Sequence, residues 1–103
     1  VEFLALAKEI TRWHHEKWDG SGYPDGLAGD AIPVSARLMA LADVYDALRS
    51  KRVYKESMPH EEAVKIITEG DGRTRPEHFD PDILAAFVAL NESFRTISID
   101  FQD

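Results

Sequence analysis

The chain has 103 residues, no cysteine and a formal net charge of −7, from 12 Lys+Arg against 19 Asp+Glu. These figures exclude disulfides and thiolate metal sites, and they argue against a whole-surface attraction to a nucleic acid polymer or an anionic membrane. With 44% hydrophobic and 30% charged residues, and no apolar run near the ~20 residues that cross a bilayer, the chain reads as one globular domain, or a piece of one, suited to the cytoplasm.

In the first segment Phe3, Leu6, Ile10 and Trp13 recur at spacings of three and four, one face of an amphipathic helix running to about Glu16. No capping residue precedes it and Val1 opens in mid-pattern, so an upstream portion is expected. Asp19 to Asp30 carries four glycines and a proline, which marks an irregular loop. Pro33 suits an early position of a second helix reaching about Ser50, with the stripe Val34, Leu38, Leu41, Tyr45 and Leu48. Lys51 to Glu56 is a charged connection. Ser57 and Pro59 open a third helix carrying Ala63, Ile66 and Ile67, which Gly70 stops. Asp71 to Phe79 reads as loop, and Asp80-Pro81 signals a fourth helix with Ile83, Leu84, Phe87, Val88 and Leu90. The alternation Ile97, Ile99, Phe101 suits a short strand or a loose tail. The expected class is all-α, about four helices with a Gly-rich loop.

Without cysteine, a metal here must use imidazole and carboxylate ligands. His14 and His15 are neighbours at a helix end and point about 100° apart, so they suit two ions of a bridged cluster better than one. The alternative is one imidazole packed in the core and the other solvated. Asp43 sits in Ala-Leu-Ala-Asp-Val-Tyr-Asp-Ala-Leu, where burial of a carboxylate is costly unless it is paired or bound to metal. A surface acid is the other reading of Asp43, and more so of Asp46. The loop spacing Gly20, Gly22, Gly26 follows a helix rather than a strand, which excludes the dinucleotide-binding fingerprint. Lys51, Arg52 and Lys55 form a basic cluster that fits either a solvated helix end or a clamp on phosphate oxygens.

Together these segments resemble one family. His-His-Glu-Lys-Trp-Asp-Gly-Ser-Gly-Tyr-Pro-Asp-Gly-Leu, residues 14 to 27, is similar to the second signature of HD-GYP domains. Ile32-Pro33, Ala36-Arg37-Leu38 and Ala42-Asp43-Val44-Tyr45-Asp46-Ala47-Leu48 continue it in order. Arg52-Val53-Tyr54-Lys55 resembles the family's basic element, and Phe79-Asp80-Pro81 with Phe87 its last helix. The resemblance implies a helical fragment of the HD-domain phosphohydrolase fold, the second half of an HD-GYP domain. It implies that His14, His15 and Asp43 are ligands of two or three divalent metals, iron or manganese. Arg52 and Lys55 would then hold substrate phosphates, Tyr23 would line the approach, and Gly20, Gly22 and Pro24 would shape the loop. The implied activity is metal-dependent hydrolysis of cyclic di-GMP to pGpG or GMP in bacterial two-component signalling. The family's name-giving His-Asp pair is absent from these 103 residues, so the chain alone is expected to be inactive. The alternative is an interaction module that contacts diguanylate cyclase domains through the loop around Tyr23. Apolar stripes left without partners would favour a homodimer.

Overall fold

A computed structural model describes residues 2–51, 53 and 55–100, with side chains placed up to Ile97. Four α-helices follow in order: α1 Phe3–Trp13, α2 Val34–Arg49, α3 His60–Glu69 and α4 Pro81–Asp100, with short 3-10 turns at Gly29–Ala31 and Pro76–His78. The described residues contain no β-strand, so the expected all-α class holds.

The core forms where α2, α3 and α4 meet. Leu41 and Tyr45 of α2, Ala63 and Ile67 of α3, Phe79, and Phe87 of α4 are buried together. Their spacings of four, four and one helical face are what an inward stripe requires. Tyr45 lies edge-on to Phe87 and Phe94, with ring centroids 5.8 and 5.5 Å away. Its hydroxyl also finds a partner. The Asn91 side-chain amide donates to the Val88 carbonyl, which leaves Asn91 Oδ1 to accept from His60 Nε2–H at 3.1 Å. His60 Nδ1 is therefore free to accept from Tyr45 Oη–H at 2.9 Å. A buried phenol and a buried imidazole are thus both satisfied.

Asp80 shows why the fourth helix starts where the sequence suggests. Oδ1 accepts the Asp82 amide at 2.8 Å, a helix cap, and Oδ2 accepts from Arg37 Nη1 at 2.7 Å. Burial alone would raise the Asp80 carboxyl, but the Arg37 hydrogen bond and the cap outweigh it and hold the group below the ordinary 3.8. Gly70 ends α3 at φ +89°, a conformation open to glycine at little cost.

Three expectations change. Helix α1 stops at Trp13 rather than near Glu16, because the Glu16 side chain is drawn into the following loop. The residues around Ile97 and Ile99 continue α4 to Asp100 instead of forming a strand or loose tail; no proline or glycine interrupts the run, and Phe94 anchors it on Tyr45. Phe101 lies outside the described residues. The α2 stripe is also buried over only part of its length. Leu41 and Tyr45 are in the core, whereas Val34 and Leu38 are more than half exposed, as are Phe3 and Leu4 of α1.

Candidate functional site

The loop after α1 is held by one buried carboxylate. Glu16, 2% exposed, accepts the Asp25 amide at 2.7 Å and the Leu27 amide at 2.9 Å. Two charge-assisted bonds to backbone N–H groups fix the loop's return path without any apolar core of its own. A second carboxylate works from outside. Asp25 accepts from Trp13 Nε1 at 2.7 Å and from Arg12 Nε and Nη2 at 3.0 and 2.9 Å. These donors, Trp13 first, hold its carboxyl below the usual range. The loop is also tied to the Pro76–His78 turn, since Trp18 N donates to the His78 carbonyl at 2.8 Å.

Gly22 is where the loop passes closest to the helix end. A Cβ there would lie 2.6 Å from Lys17 N and 2.7 Å from Glu16 Cα, closer than real side chains come to backbone. The next residue, Tyr23, is joined to Pro24 by a cis peptide bond, and its ring stacks on His15 with centroids 4.9 Å apart and planes 17° from parallel.

His14 is oriented from behind. Its Nδ1 lies 2.7 Å from the Ile10 carbonyl, which can only accept, so Nδ1 carries the proton. In the neutral ring this puts the lone pair on Nε2, the atom that lies 3.9 Å from Asp43 Oδ2. A donor on one ring nitrogen fixing the lone pair of the other is how protein scaffolds prepare imidazole ligands for metals. Asp43 is 52% exposed, so the cost of burial that singled it out in the sequence does not apply. Leu41 and Tyr45, two positions to either side, take the core face, and Asp43 turns to the cleft.

That cleft has a volume of about 310 Å³. His14, His15, Tyr23 and Asp43 line it, together with Lys17, Arg73 and His78. The structure thus brings together His14, His15, Asp43 and Tyr23. Among the described residues, no three His, Asp or Glu side chains converge tightly enough to enclose a metal ion. Lys55 is elsewhere. Its Nζ donates to the carbonyls of Leu48, Ser50 and Glu56 at 3.2, 2.8 and 3.0 Å, closing the C-terminal end of α2. Arg52 lies outside the described residues. Glu16, Arg37 and Arg73 were not singled out by sequence. Glu16 and Arg37 stand in the segments that carry the resemblance, but no role was read for either.

The HD domain model matches residues 1–83. The chain belongs to the HD domain family. This HD domain chain is 58% identical over 101 residues to a cyclic di-GMP phosphodiesterase of Vibrio cholerae serotype O1, covering 98% of the chain and 20% of that protein. It is 60% identical over 100 residues to a probable cyclic di-GMP phosphodiesterase of the same organism, covering 97% and 22%. To that organism's 3'3'-cGAMP-specific phosphodiesterase 2 it is 42% identical over 100 residues, covering 97% and 18%. The HD domain chain therefore spans about a fifth of the length of these relatives. No helix among the described residues is long and apolar enough to cross a membrane.

Proposed function

We propose that this chain is the second half of an HD-GYP domain and that its parent protein is a metal-dependent phosphodiesterase that opens cyclic di-GMP to pGpG or GMP. The observation that carries the reading is the His14–Asp43 pair in the cleft, with His14 Nδ1 turned to the Ile10 carbonyl and Nε2 3.9 Å from the carboxylate. Similarity to proteins named cyclic di-GMP phosphodiesterases supplies the substrate.

Two imidazoles and a carboxylate are a donor set for borderline and hard divalent ions, which fits iron or manganese. His14, His15 and Asp43 would hold such ions in part, and the remaining ligands would come from residues beyond this chain. When bound, divalent ions supply a hydroxide nucleophile at neutral pH and offset charge developing on the phosphate. The chain's own residues do the rest. Ile10 sets the His14 tautomer, Tyr23 stacks on the His15 ring, and Glu16 fixes the loop that carries Tyr23. Arg52 and Lys55 are the phosphate contacts, and to serve as one Lys55 must leave the carbonyls of Leu48, Ser50 and Glu56.

The test is hydrolysis of cyclic di-GMP by the whole parent protein under anaerobic Fe(II) or Mn(II), with metal content measured beside it. His14→Ala should lower both bound metal and turnover by at least about tenfold. Full metal content and turnover in that variant would remove the reading. The isolated 103 residues should show no turnover. The exposed faces of Phe3, Leu4, Val34 and Leu38 favour self-association of the isolated chain, and a compact monomer by light scattering would count against it. Contacts of the exposed Tyr23 loop with diguanylate cyclase domains would be lost in Tyr23→Ala; unchanged capture would exclude them.

A further inference from the structure

Residues 23 to 26 include the Tyr23 ring that stacks on His15, yet each of the four is exposed, so burial does not hold this stretch in place. The stack itself has little cover. Tyr23 is 60% exposed, and Tyr23 and His15 line both the cleft and a second cavity of about 680 Å³ along α1. The position of the stretch must therefore come from directional bonds. Tyr23 N donates to the His15 carbonyl at a long 3.3 Å, and the stronger anchor is two residues on, at Asp25.

Asp25 is bound through its main chain and its side chain at once. Its backbone N–H donates to Glu16 Oε2 at 2.7 Å. Its carboxylate accepts from Trp13 Nε1 at 2.7 Å and from Arg12 Nε and Nη2 at 3.0 and 2.9 Å. Trp13 immediately precedes the histidine pair and Glu16 immediately follows it. One loop residue thus joins the two neighbours of the pair. The Arg12 guanidinium also lies over the Trp13 ring, 5.7 Å from its centre, so the two donors brace one another. Charge-assisted bonds of these lengths fix direction as well as distance.

We infer that Asp25 is a positioning residue for the His14–His15 pair: by joining Trp13 to Glu16 it sets how tightly the two imidazoles hold divalent metal. This rests on the metal-dependent reading above. Asp25 acts through the residues on either side of the pair, and through Tyr23 two positions before it. Trp13 weighs more than Arg12 in this, because the Arg12 side chain is 56% exposed and its charge is screened.

The experiment uses the whole parent protein. It reads Mn(II) binding by calorimetry, the ring resonances of carbon-labelled histidines in the metal-free protein, and steady-state hydrolysis of cyclic di-GMP. Asp25→Asn keeps the shape of the side chain but leaves one oxygen to accept and turns an amide NH2 toward the donors. Asp25 stands one bond further out than a direct partner of a metal ligand, so the loss in Mn(II) affinity should sit at the low end of the usual range, about tenfold. Trp13→Phe should lose a similar amount, and the double variant no more than the larger single loss. Arg12→Gln should lose less. In Asp25→Asn the His15 ring resonances should shift before metal is added, and excess Mn(II) should restore kcat with KM little changed. Ile67→Val in the core should keep wild-type affinity and resonances. Wild-type Mn(II) affinity in Asp25→Asn, or an equal loss in Ile67→Val, would overturn the inference while leaving the phosphodiesterase reading intact. If the wild-type protein binds no Mn(II) and hydrolyses no cyclic dinucleotide, both fall together.

Discussion

The region from His14 to Ile32 and the α2–α3–α4 core lie side by side, yet they are built on different principles. In the core, six buried side chains exclude water, and Tyr45, His60 and Asn91 enter it as a hydrogen-bonded chain. In the loop region Glu16 and Ile32 are buried, and the path of the chain is set by carboxylates that accept backbone amides, by Arg37, and by one close glycine contact. Apolar burial is non-directional and tolerates local rearrangement, whereas hydrogen bonds and backbone contacts fix positions to fractions of an ångström. The site-bearing region uses the second kind. Its loss of function should therefore come before its loss of fold, and in the core the order should reverse.

The strongest way to test that contrast begins in the core. Phe87→Ala removes a ring in contact with Tyr45 and Phe94 and should cost ~3–5 kcal/mol in urea unfolding. A cost below ~1 kcal/mol would mean that the aromatic cluster is not the stabilising centre. Next is Gly22→Ala, whose Cβ would press on the backbone at Glu16 and Lys17. The expected cost is ~1–3 kcal/mol, with a larger effect on metal content than on the unfolding midpoint. An unchanged metal content would show that the loop does not set the histidines.

These two substitutions also mark what the sequence could and could not reveal. The core was legible, because Leu41, Tyr45, Ala63, Ile67 and Phe87 follow helical periods and Asp80-Pro81 and Gly70 punctuate them. Periodicity does not say which part of a stripe finds a partner, so Val34 and Leu38 looked like core and are exposed. Of the site, His14, His15 and Tyr23 stood in the loop signature and Asp43 in the Ala42–Leu48 segment that continues it. The roles of Glu16 and Arg37 were not legible, because their partners lie 9 and 43 residues away, and Arg73 lines a cleft that only the fold creates. Lys55 was ambiguous in sequence for a physical reason: the same charge suits a phosphate and a helix C-terminus.

Glu16→Gln comes third in size. It keeps the shape of the side chain but replaces one acceptor with a donor facing an amide, so one of the Asp25 and Leu27 bonds must break. The expected cost is ~1–3 kcal/mol. Within the comparison its readout is the Tyr23–His15 stack. The His15 ring resonances should shift in Glu16→Gln and stay in place in a core variant of equal cost, such as Ile67→Val. Identical spectra would mean that the stack is independent of the buried carboxylate.

The smallest effect at neutral pH, and the one that best separates the two regions, lies in acid. Asp80 in the core and Asp25 in the loop both have carboxyls below 3.8, so each binds its proton less readily when folded than when unfolded. The stability they provide is complete above 3.8 and is lost as pH falls through the folded-state values. The two differ in exposure: the Asp80 side chain is 7% exposed with Arg37 against it, whereas Asp25 and Arg12 are 35% and 56% exposed. Salt screens the second pair and largely spares the first. Unfolding midpoints measured from pH 7 down to pH 2 should stay flat at first and then fall below about pH 4. Asp80→Asn should remove part of that fall at both low and high salt, and Asp25→Asn only at low salt. Equal salt sensitivity in the two variants would mean that the Arg37–Asp80 pair is solvated in acid. The core would then be held by apolar packing alone at that edge, and the helix cap at Asp80 would not share the protection of its neighbours.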